Sequence, residues 1–267
     1  MNKDKRLEAF GRLLDVMDEL RVKCPWDRVQ TFESLRSSTI EETYELVDAL
    51  LDHDMKNVKK ELGDLLLHVI FYSKIASEEG AFDIADVADT ECDKLIFRHP
   101  HVFGAVHADT PDEVKQNWED LKLKEKEKEH EKKRVLSGVP RTLPSLVKAY
   151  RISQKAASAG FDWETKEDIW SKVQEEISEV QAAMQSGDEV NKEEEFGDLL
   201  FALVNAARLY GVNAETALEK CNKKFISRFT YIEEQAEKQG LSLRELSLAE
   251  MESWWCEAKN KAKEKTE

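Results

Sequence analysis

Hydrophobic residues recur three and four positions apart along most of the chain, between stretches of charged residues. This spacing is typical of amphipathic helices, and no segment alternates as a β-strand would. The fold class predicted from the pattern is therefore all-α. The longest periodic segments form two pairs of predicted helices, 35–51 with 58–78 and 166–185 with 189–209.

The second pair of predicted helices has a clear apolar stripe on each helix. The stripe residues are Ile177, Val180 and Met184 on the first helix and Phe196, Leu199, Leu200, Leu203 and Val204 on the second. We expect turns at 52–57 and 186–191, between the helices of each pair. Gly80 and Gly211 are placed where glycine commonly ends a helix.

Two segments of the chain repeat each other without a gap. EETYELVDALLDHDMKNVKKELGDLL (41–66) and EEISEVQAAMQSGDEVNKEEEFGDLL (175–200) are identical at 11 of 26 positions under a constant shift of 134. The repeat predicts two copies of one helical module. We place an N-terminal module at 1–136 and a C-terminal module at 137–267, separated by a proline-containing linker near 137–144. One continuous domain with an exposed, highly charged helix over 122–134 is the alternative.

Each copy contains four acids at matching positions. They are Glu42, Glu45, Glu61 and Asp64 in the first copy, and Glu176, Glu179, Glu195 and Asp198 in the second. Acids three residues apart share one face of a helix. If the two helices of a module pack antiparallel, residues 179 and 195 are equally distant from position 187, and so are residues 176 and 198. The spacing therefore predicts that four carboxylates meet between the helices of each module.

Carboxylates that converge away from water either keep protons or recruit a cation. Oxygen ligands alone suit Mg²⁺, and Mn²⁺ can substitute. A ferritin-like di-iron site would need a histidine three residues after a ligating glutamate, and none of these glutamates has one. The alternative is that the repeat preserves only the fold. Acids beside an apolar stripe fit that alternative poorly.

The charge and composition of the 267-residue chain exclude several classes of protein. A net charge of −15 disfavours nonspecific binding of nucleic acid. The mean hydropathy of −0.60 argues against a membrane-spanning protein. Four scattered cysteines without a CxxC pair, and a polar N-terminus unlike a secretory signal, favour a cytoplasmic location. No GxxxxGK[ST] or GxGxxG motif is present to bind phosphate.

Several motifs together resemble the MazG family of nucleoside triphosphate pyrophosphohydrolases in its two-module form. They are EETYELVDA…ELGDLLLHVIFY, EEISEV…EFGDLLF, CPWDRVQTFESL, FRHPHVF, VPRTLPSLVKAYRISQKAASAGFDW and KKFISRF, which together cover nearly the whole chain. The resemblance implies a tandem all-α repeat of helical-bundle modules, assembled as a homodimer. It also implies Mg²⁺-dependent hydrolysis of NTPs and dNTPs to the monophosphate and pyrophosphate, mainly in the C-terminal module.

The resemblance implies roles for individual residues of this sequence. Metal would be held by Glu176, Glu179, Glu195 and Asp198, with a second site at Glu42, Glu45, Glu61 and Asp64. The catalytic set adds Glu175, since Glu175 or Glu176 could accept a proton from the attacking water. Nucleotide contacts would come from Lys172, Glu175, Glu176, Asn191, Glu194, Asp198, Lys224, Arg228 and Trp255. Asn191 departs from the family pattern, in which lysine is expected.

Two of the implied nucleotide contacts have ordinary structural alternatives. Lys224 and Arg228 are four residues apart on one predicted helix face and would bind phosphate oxygens, or only interact with solvent. Trp255 would stack on a base, or be a core aromatic residue. For the whole chain, the competing functions are a helical regulatory or binding module without catalysis and a carboxylate-bridged redox metalloprotein.

Overall fold

The computed structural model describes residues 3–108, 110, 113, 114, 117, 118, 121, 134–186 and 189–264. These residues form α-helices joined by turns and three short 3₁₀ segments, with no strand among them. The predicted all-α class is confirmed. The chain divides into two compact units, Met1–Lys124 and Glu125–Glu267. The module boundary predicted at 136/137 stays a prediction, and most of the charged segment 122–134 lies outside the described residues.

The N-terminal unit is built around a long antiparallel helix pair. Its helices are α1 (Lys3–Lys23), α2 (Phe32–Leu51), α3 (Met55–Glu78), α4 (Ile84–Arg98) and the short α5 (Pro100–Phe103). Helices α2 and α3 pack along each other, and α1 and α4 contact α3. The buried core contains Met17, Leu35, Ile70, Phe71 and Ile75.

The C-terminal unit contains a matching helix pair. Its helices are α6 (Ser145–Ser158), α7 (Ile169–Ser186), α8 (Glu189–Leu209), α9 (Ala214–Gln239) and α10 (Leu248–Glu264). Helices α7 and α8 pack along each other, α6 contacts α8 and α9, and α10 contacts α9. The core between α7 and α8 is small and contains Ile169, Val173, Ala202 and Ala206.

Side-chain caps and glycines determine where the helices of the two pairs begin and end. Asp54 accepts hydrogen bonds from the backbone N–H groups of Lys56 and Asn57, so α3 begins three residues before the predicted start at 58. Gly80 and Gly211 both have φ of 70°, the left-handed conformation that glycine adopts without strain. The predicted helix ends at these two glycines are confirmed.

The predicted apolar stripe of the C-terminal pair is only partly buried. Val204 is buried, but Met184, Phe196, Leu200 and Leu203 are exposed in the single chain. These residues were predicted only to share the apolar stripe, and the described part of the chain leaves much of that stripe exposed. No helix in the described parts of the chain is both long and apolar enough to cross a bilayer.

Candidate metal and nucleotide site

The helix pair α7–α8 brings three of the four predicted acids of the C-terminal module together. One carboxylate oxygen from each of Glu176, Glu179 and Glu195 lies within 4.8 Å of the other two, and we call these residues the C-terminal cluster. Glu176 is only 5% exposed. Asp198 is not part of this group, but it lines a cavity beside Glu176. Its role as a fourth ligand stays a prediction.

The acids of the C-terminal cluster interact strongly with one another. A hydrogen bond with Glu176 raises the pKa of Glu179, and burial and the charge of Glu195 raise it further. A carboxylate pair sharing a proton is the expected metal-free state of such a site. A cation bound there would replace that proton.

A lysine lies beside the C-terminal cluster on the same helix. Lys172 Nζ is 2.8 Å from Glu176 Oε1 and 3.0 Å from Glu175 Oε1. The hydrogen bond to Glu176, followed by the one to Glu175, raises the pKa of Lys172. Glu175 is therefore held at the edge of the cluster and stays exposed. The arrangement places a permanent positive charge next to the carboxylates.

The N-terminal helix pair gathers the matching acids in the same way. Glu42, Glu45 and Glu61 each offer a carboxylate oxygen within 4.8 Å of the others, and we call them the N-terminal cluster. Glu61 is 4% exposed. Burial raises the pKa of Glu42, and the charges of Asp64, Glu45 and Glu61 raise it further, while Lys60 lowers it.

Lys60 lies within reach of most of the N-terminal acids. Its Nζ is 2.9 Å from Glu61 Oε1, 3.6 Å from Asp64 Oδ2 and 3.7 Å from Glu45 Oε2. The hydrogen bond to Glu61 is the main reason that the pKa of Lys60 is raised. Under the repeat shift of 134, position 60 corresponds to Glu194 in the C-terminal module. The N-terminal cluster therefore has an ammonium group of its own, where the C-terminal module has another carboxylate.

The C-terminal cluster fits a hard divalent cation. Three carboxylate groups, one of them buried, supply the oxygen ligands that Mg²⁺ and Mn²⁺ prefer. No histidine or cysteine is in the group, so its composition is unlike that of zinc sites. Repulsion among the acids is what a bound cation would relieve. The N-terminal cluster fits less well, since Lys60 contacts Glu61 and Glu45 of that cluster and also Asp64. Lys172 contacts Glu176 of the C-terminal cluster and, outside the cluster, Glu175.

Three of the predicted nucleotide contacts lie on α9 and α10, outside the helix pair that holds the carboxylates. Arg228 lies 5.3 Å from the centre of the Trp255 ring, and Trp255 packs edge-on against Phe225 at 5.0 Å. Lys224 is exposed on the same helix as Arg228. Glu194 is exposed and Asn191 partly buried near the start of α8.

A bidentate ion pair between Arg208 and Asp162, which we call the fork, was not anticipated from the sequence. Arg208 Nη1 and Nη2 donate to the two oxygens of Asp162, at 3.1 and 2.5 Å. Burial raises the pKa of Asp162, but the hydrogen bonds from Arg208 and from the Trp163 backbone N–H outweigh it and lower the pKa overall. The partners are separated by 46 positions, so no helical spacing could have paired them. The fork fixes the segment before α7 onto α8.

The fold and the clusters define an all-α protein whose helix pairs gather carboxylates suited to divalent cations. Comparison with known families makes the assignment specific. Residues 30–103 and 164–232 match the MazG nucleotide pyrophosphohydrolase domain, once in each unit. The chain belongs to the MazG family, as the motifs had suggested.

Curated relatives resemble the chain over most of its length. A nucleoside triphosphate pyrophosphohydrolase of Escherichia coli K12 is 43% identical over 258 residues, covering 95% of this chain and 98% of the relative. A Thermotoga maritima protein named nucleoside triphosphate pyrophosphohydrolase/pyrophosphatase MazG is 44% identical over 252 residues, covering 94% and 95%. A nucleoside triphosphate pyrophosphohydrolase of Mycobacterium tuberculosis is 40% identical over 154 residues, covering 56% of this chain and 46% of the relative.

Proposed function

We propose that the chain is a nucleoside triphosphate pyrophosphohydrolase that cleaves NTPs and dNTPs between the α- and β-phosphates. The products are the nucleoside monophosphate and pyrophosphate, and the required ion is Mg²⁺ or, as a substitute, Mn²⁺. The C-terminal cluster, with Lys172 beside it, is the observation that carries the proposal. Membership of the MazG family and the names of the relatives support the activity.

The residues of the C-terminal site have distinct proposed tasks. Glu176, Glu179 and Glu195, with Asp198 beside them, hold the metal ion, which when bound neutralises phosphate charge and activates water. Lys172 moves from its carboxylate partners to a phosphate oxygen when the nucleotide binds. Glu175 is freed by that movement and accepts the proton of the attacking water.

The two modules are proposed to be unequal, with most turnover in the C-terminal one. In the N-terminal cluster, Lys60 competes with a metal ion for Glu61, Glu45 and Asp64. The same module has Ser38 at the position matching Lys172, so it lacks the lysine proposed to contact phosphate. An anionic substrate that depends on bound cations therefore meets a weaker site in the N-terminal module.

A homodimer is proposed because an apolar face of α8 is left exposed by the described part of the chain. Phe196, Leu200 and Leu203 follow each other at helical spacing and are each more than two-fifths exposed. Isolated apolar side chains are normal on a surface, but a continuous row on one helix face is typical of an interface. A second copy of this chain is the proposed cover.

Product analysis with a panel of nucleotides tests the proposed activity. We expect each accepted nucleotide to yield monophosphate and pyrophosphate in equal amounts. Activity should disappear with a chelator and return with Mg²⁺ or Mn²⁺. Orthophosphate and the diphosphate as sole products would contradict the proposal. The absence of any turnover would favour a regulatory module, and a bound iron pair with visible absorption would favour a redox protein.

A further inference from the structure

The C-terminal unit contains a large cavity that begins at the carboxylates and extends beyond them. Its volume is about 820 Å³, and it is formed by α6, α7, α8 and the segment before α7. Lys172, Glu176 and Asp198 line one part of it. The rest is mostly apolar and includes Ile152, Ala156 and Phe201. A pocket of this size whose surface is mostly apolar is typical of a small-molecule site.

A buried hydroxyl in this cavity lacks a partner. Ser153 is 6% exposed, and its Oγ makes no hydrogen bond to any residue that the structure describes. Buried polar groups are nearly always hydrogen-bonded, because an unsatisfied one costs the desolvation that folding imposed on it. Ser153 lines the cavity, so a ligand atom there could supply the missing bond.

The orientation of a second polar side chain is fixed by its neighbour. Asn205 Oδ1 accepts a hydrogen bond of 2.8 Å from Arg208 Nε. Arginine can only donate, so the carboxamide oxygen faces Arg208 and the Nδ2 amide group is left to donate elsewhere. Asn205 also lines the cavity. Asp162 and Arg208 also line the cavity but are hydrogen-bonded to each other. Ser153 and Asn205 therefore offer a ligand one hydroxyl that can donate or accept and one dedicated donor.

Two aromatic side chains line the cavity on the segment before α7. Phe161 is 84% exposed and Trp163 is partly exposed, and both line the cavity. The fork between Asp162 and Arg208 holds the segment that contains them. Planar rings anchored in this way are suited to stacking on a flat ligand.

The N-terminal module has larger side chains at two matching positions of this cavity. Under the shift of 134, Ala202 corresponds to His68 and Asn205 to Phe71, and both of these larger side chains are buried. His68 Nδ1 is hydrogen-bonded to Thr39 Oγ1 at 2.8 Å, so its position is fixed. At these two positions the N-terminal module fills space that borders the cavity in the C-terminal module.

We propose that the apolar part of this cavity is the nucleobase subsite and that it favours bases with a carbonyl acceptor on the edge facing Ser153 and Asn205. The inference rests on the proposed hydrolysis of nucleotides, and it adds which base class is preferred and which residues read it. A base placed there directs its triphosphate towards Glu176 and Asp198, since they line the same cavity. The carbonyl oxygens of uracil, thymine, guanine and hypoxanthine have two lone pairs, so one oxygen can accept from Ser153 and Asn205 together. Adenine has no carbonyl, and each of its ring nitrogens can accept only one such bond. Trp255, which packs edge-on against Phe225, stays a separate predicted contact to the base.

The test compares kinetics for UTP, GTP and ATP in the wild type and in Ser153→Ala and Asn205→Leu. We expect the wild type to have a lower KM for UTP and GTP than for ATP. Each variant should raise the KM for UTP and GTP by about tenfold, the cost of one lost hydrogen bond, with little change in kcat. Ser158→Ala is the matched control, since Ser158 lies on the same helix but is exposed and bonded to the backbone of Lys155.

Inhibition by tripolyphosphate, which has the phosphate chain without a base, separates this subsite from the phosphate site. The inhibition constant of tripolyphosphate should be the same in the wild type and in Ser153→Ala, Asn205→Leu and Ser158→Ala. Unchanged KM values for UTP in both variants, or an equal loss of tripolyphosphate inhibition, would overturn the inference. If the wild type releases no pyrophosphate, the proposed function fails, and calorimetric binding of UMP to the same variants still decides whether the cavity holds a base.

Discussion

Replacing Arg208 by leucine tests whether the fork to Asp162 stabilises the C-terminal unit. The substitution removes two hydrogen bonds to Asp162 and one to Asn205. The Arg208 side chain that makes them is only 13% exposed. Hydrogen bonds to charged groups contribute about 1.5–3 kcal/mol, and Asp162 keeps some access to water. We therefore expect the free energy of unfolding to fall by about 1.5–3 kcal/mol, measured by urea denaturation.

The repeat supplies a matched control for Arg208→Leu. Lys74 occupies the corresponding position of the N-terminal module and pairs with Asp18, whose side chain is 61% exposed. Exposed pairs contribute about 0.2–1 kcal/mol, so Lys74→Leu should have a much smaller effect. The lowered pKa of Asp162 means that its contribution is present at neutral pH and is lost as the pH falls through the folded-state value. Equal effects of the two substitutions, or a loss independent of pH, would refute the reasoning.

Three further predictions concern the carboxylate clusters and the exposed face. Lys60→Glu should increase Mn²⁺ binding by the N-terminal module in titrations followed by electron paramagnetic resonance, while Lys59→Glu, with the same charge change next to it, should not. The raised pKa of Glu179 predicts that the metal-free protein loses stability as the pH rises through the folded-state pKa of Glu179. Adding Mg²⁺ should restore the lost stability. In thermal unfolding, Glu179→Gln should remove this pH dependence. Leu200→Glu should convert a dimer into a monomer in sedimentation, and an unchanged mass would contradict the proposed interface.

The sequence was sufficient for the features that depend on short-range spacing. Helix periodicity predicted α8 at its observed bounds, 189–209. The equal distances of residues 179 and 195 from the turn predicted that their carboxylates meet, and they do. These predictions succeeded because the helical rise and the antiparallel turn are fixed by backbone geometry.

Features that depend on tertiary contacts could not be predicted in the same way. The repeat aligns Lys60 with Glu194, but only side-chain geometry shows that the Lys60 ammonium group reaches three acids. The cavity depends on small residues such as Ala202 and on α6, which lies outside the 26-residue repeat. Exposure of Phe196 and Leu200 likewise depends on which helices cover α8, and periodicity does not specify that.

The central claim is that the C-terminal cluster performs the hydrolysis, and paired charge-removing variants test it most directly. Glu179→Gln and Glu45→Gln make the same change at matching positions of the two clusters. Pyrophosphate release at saturating Mg²⁺ should fall by at least about a hundredfold in Glu179→Gln, as when a group that stabilises transition-state charge is removed. Glu45→Gln should keep most of the activity. Equal losses, or a larger loss in Glu45→Gln, would contradict the account.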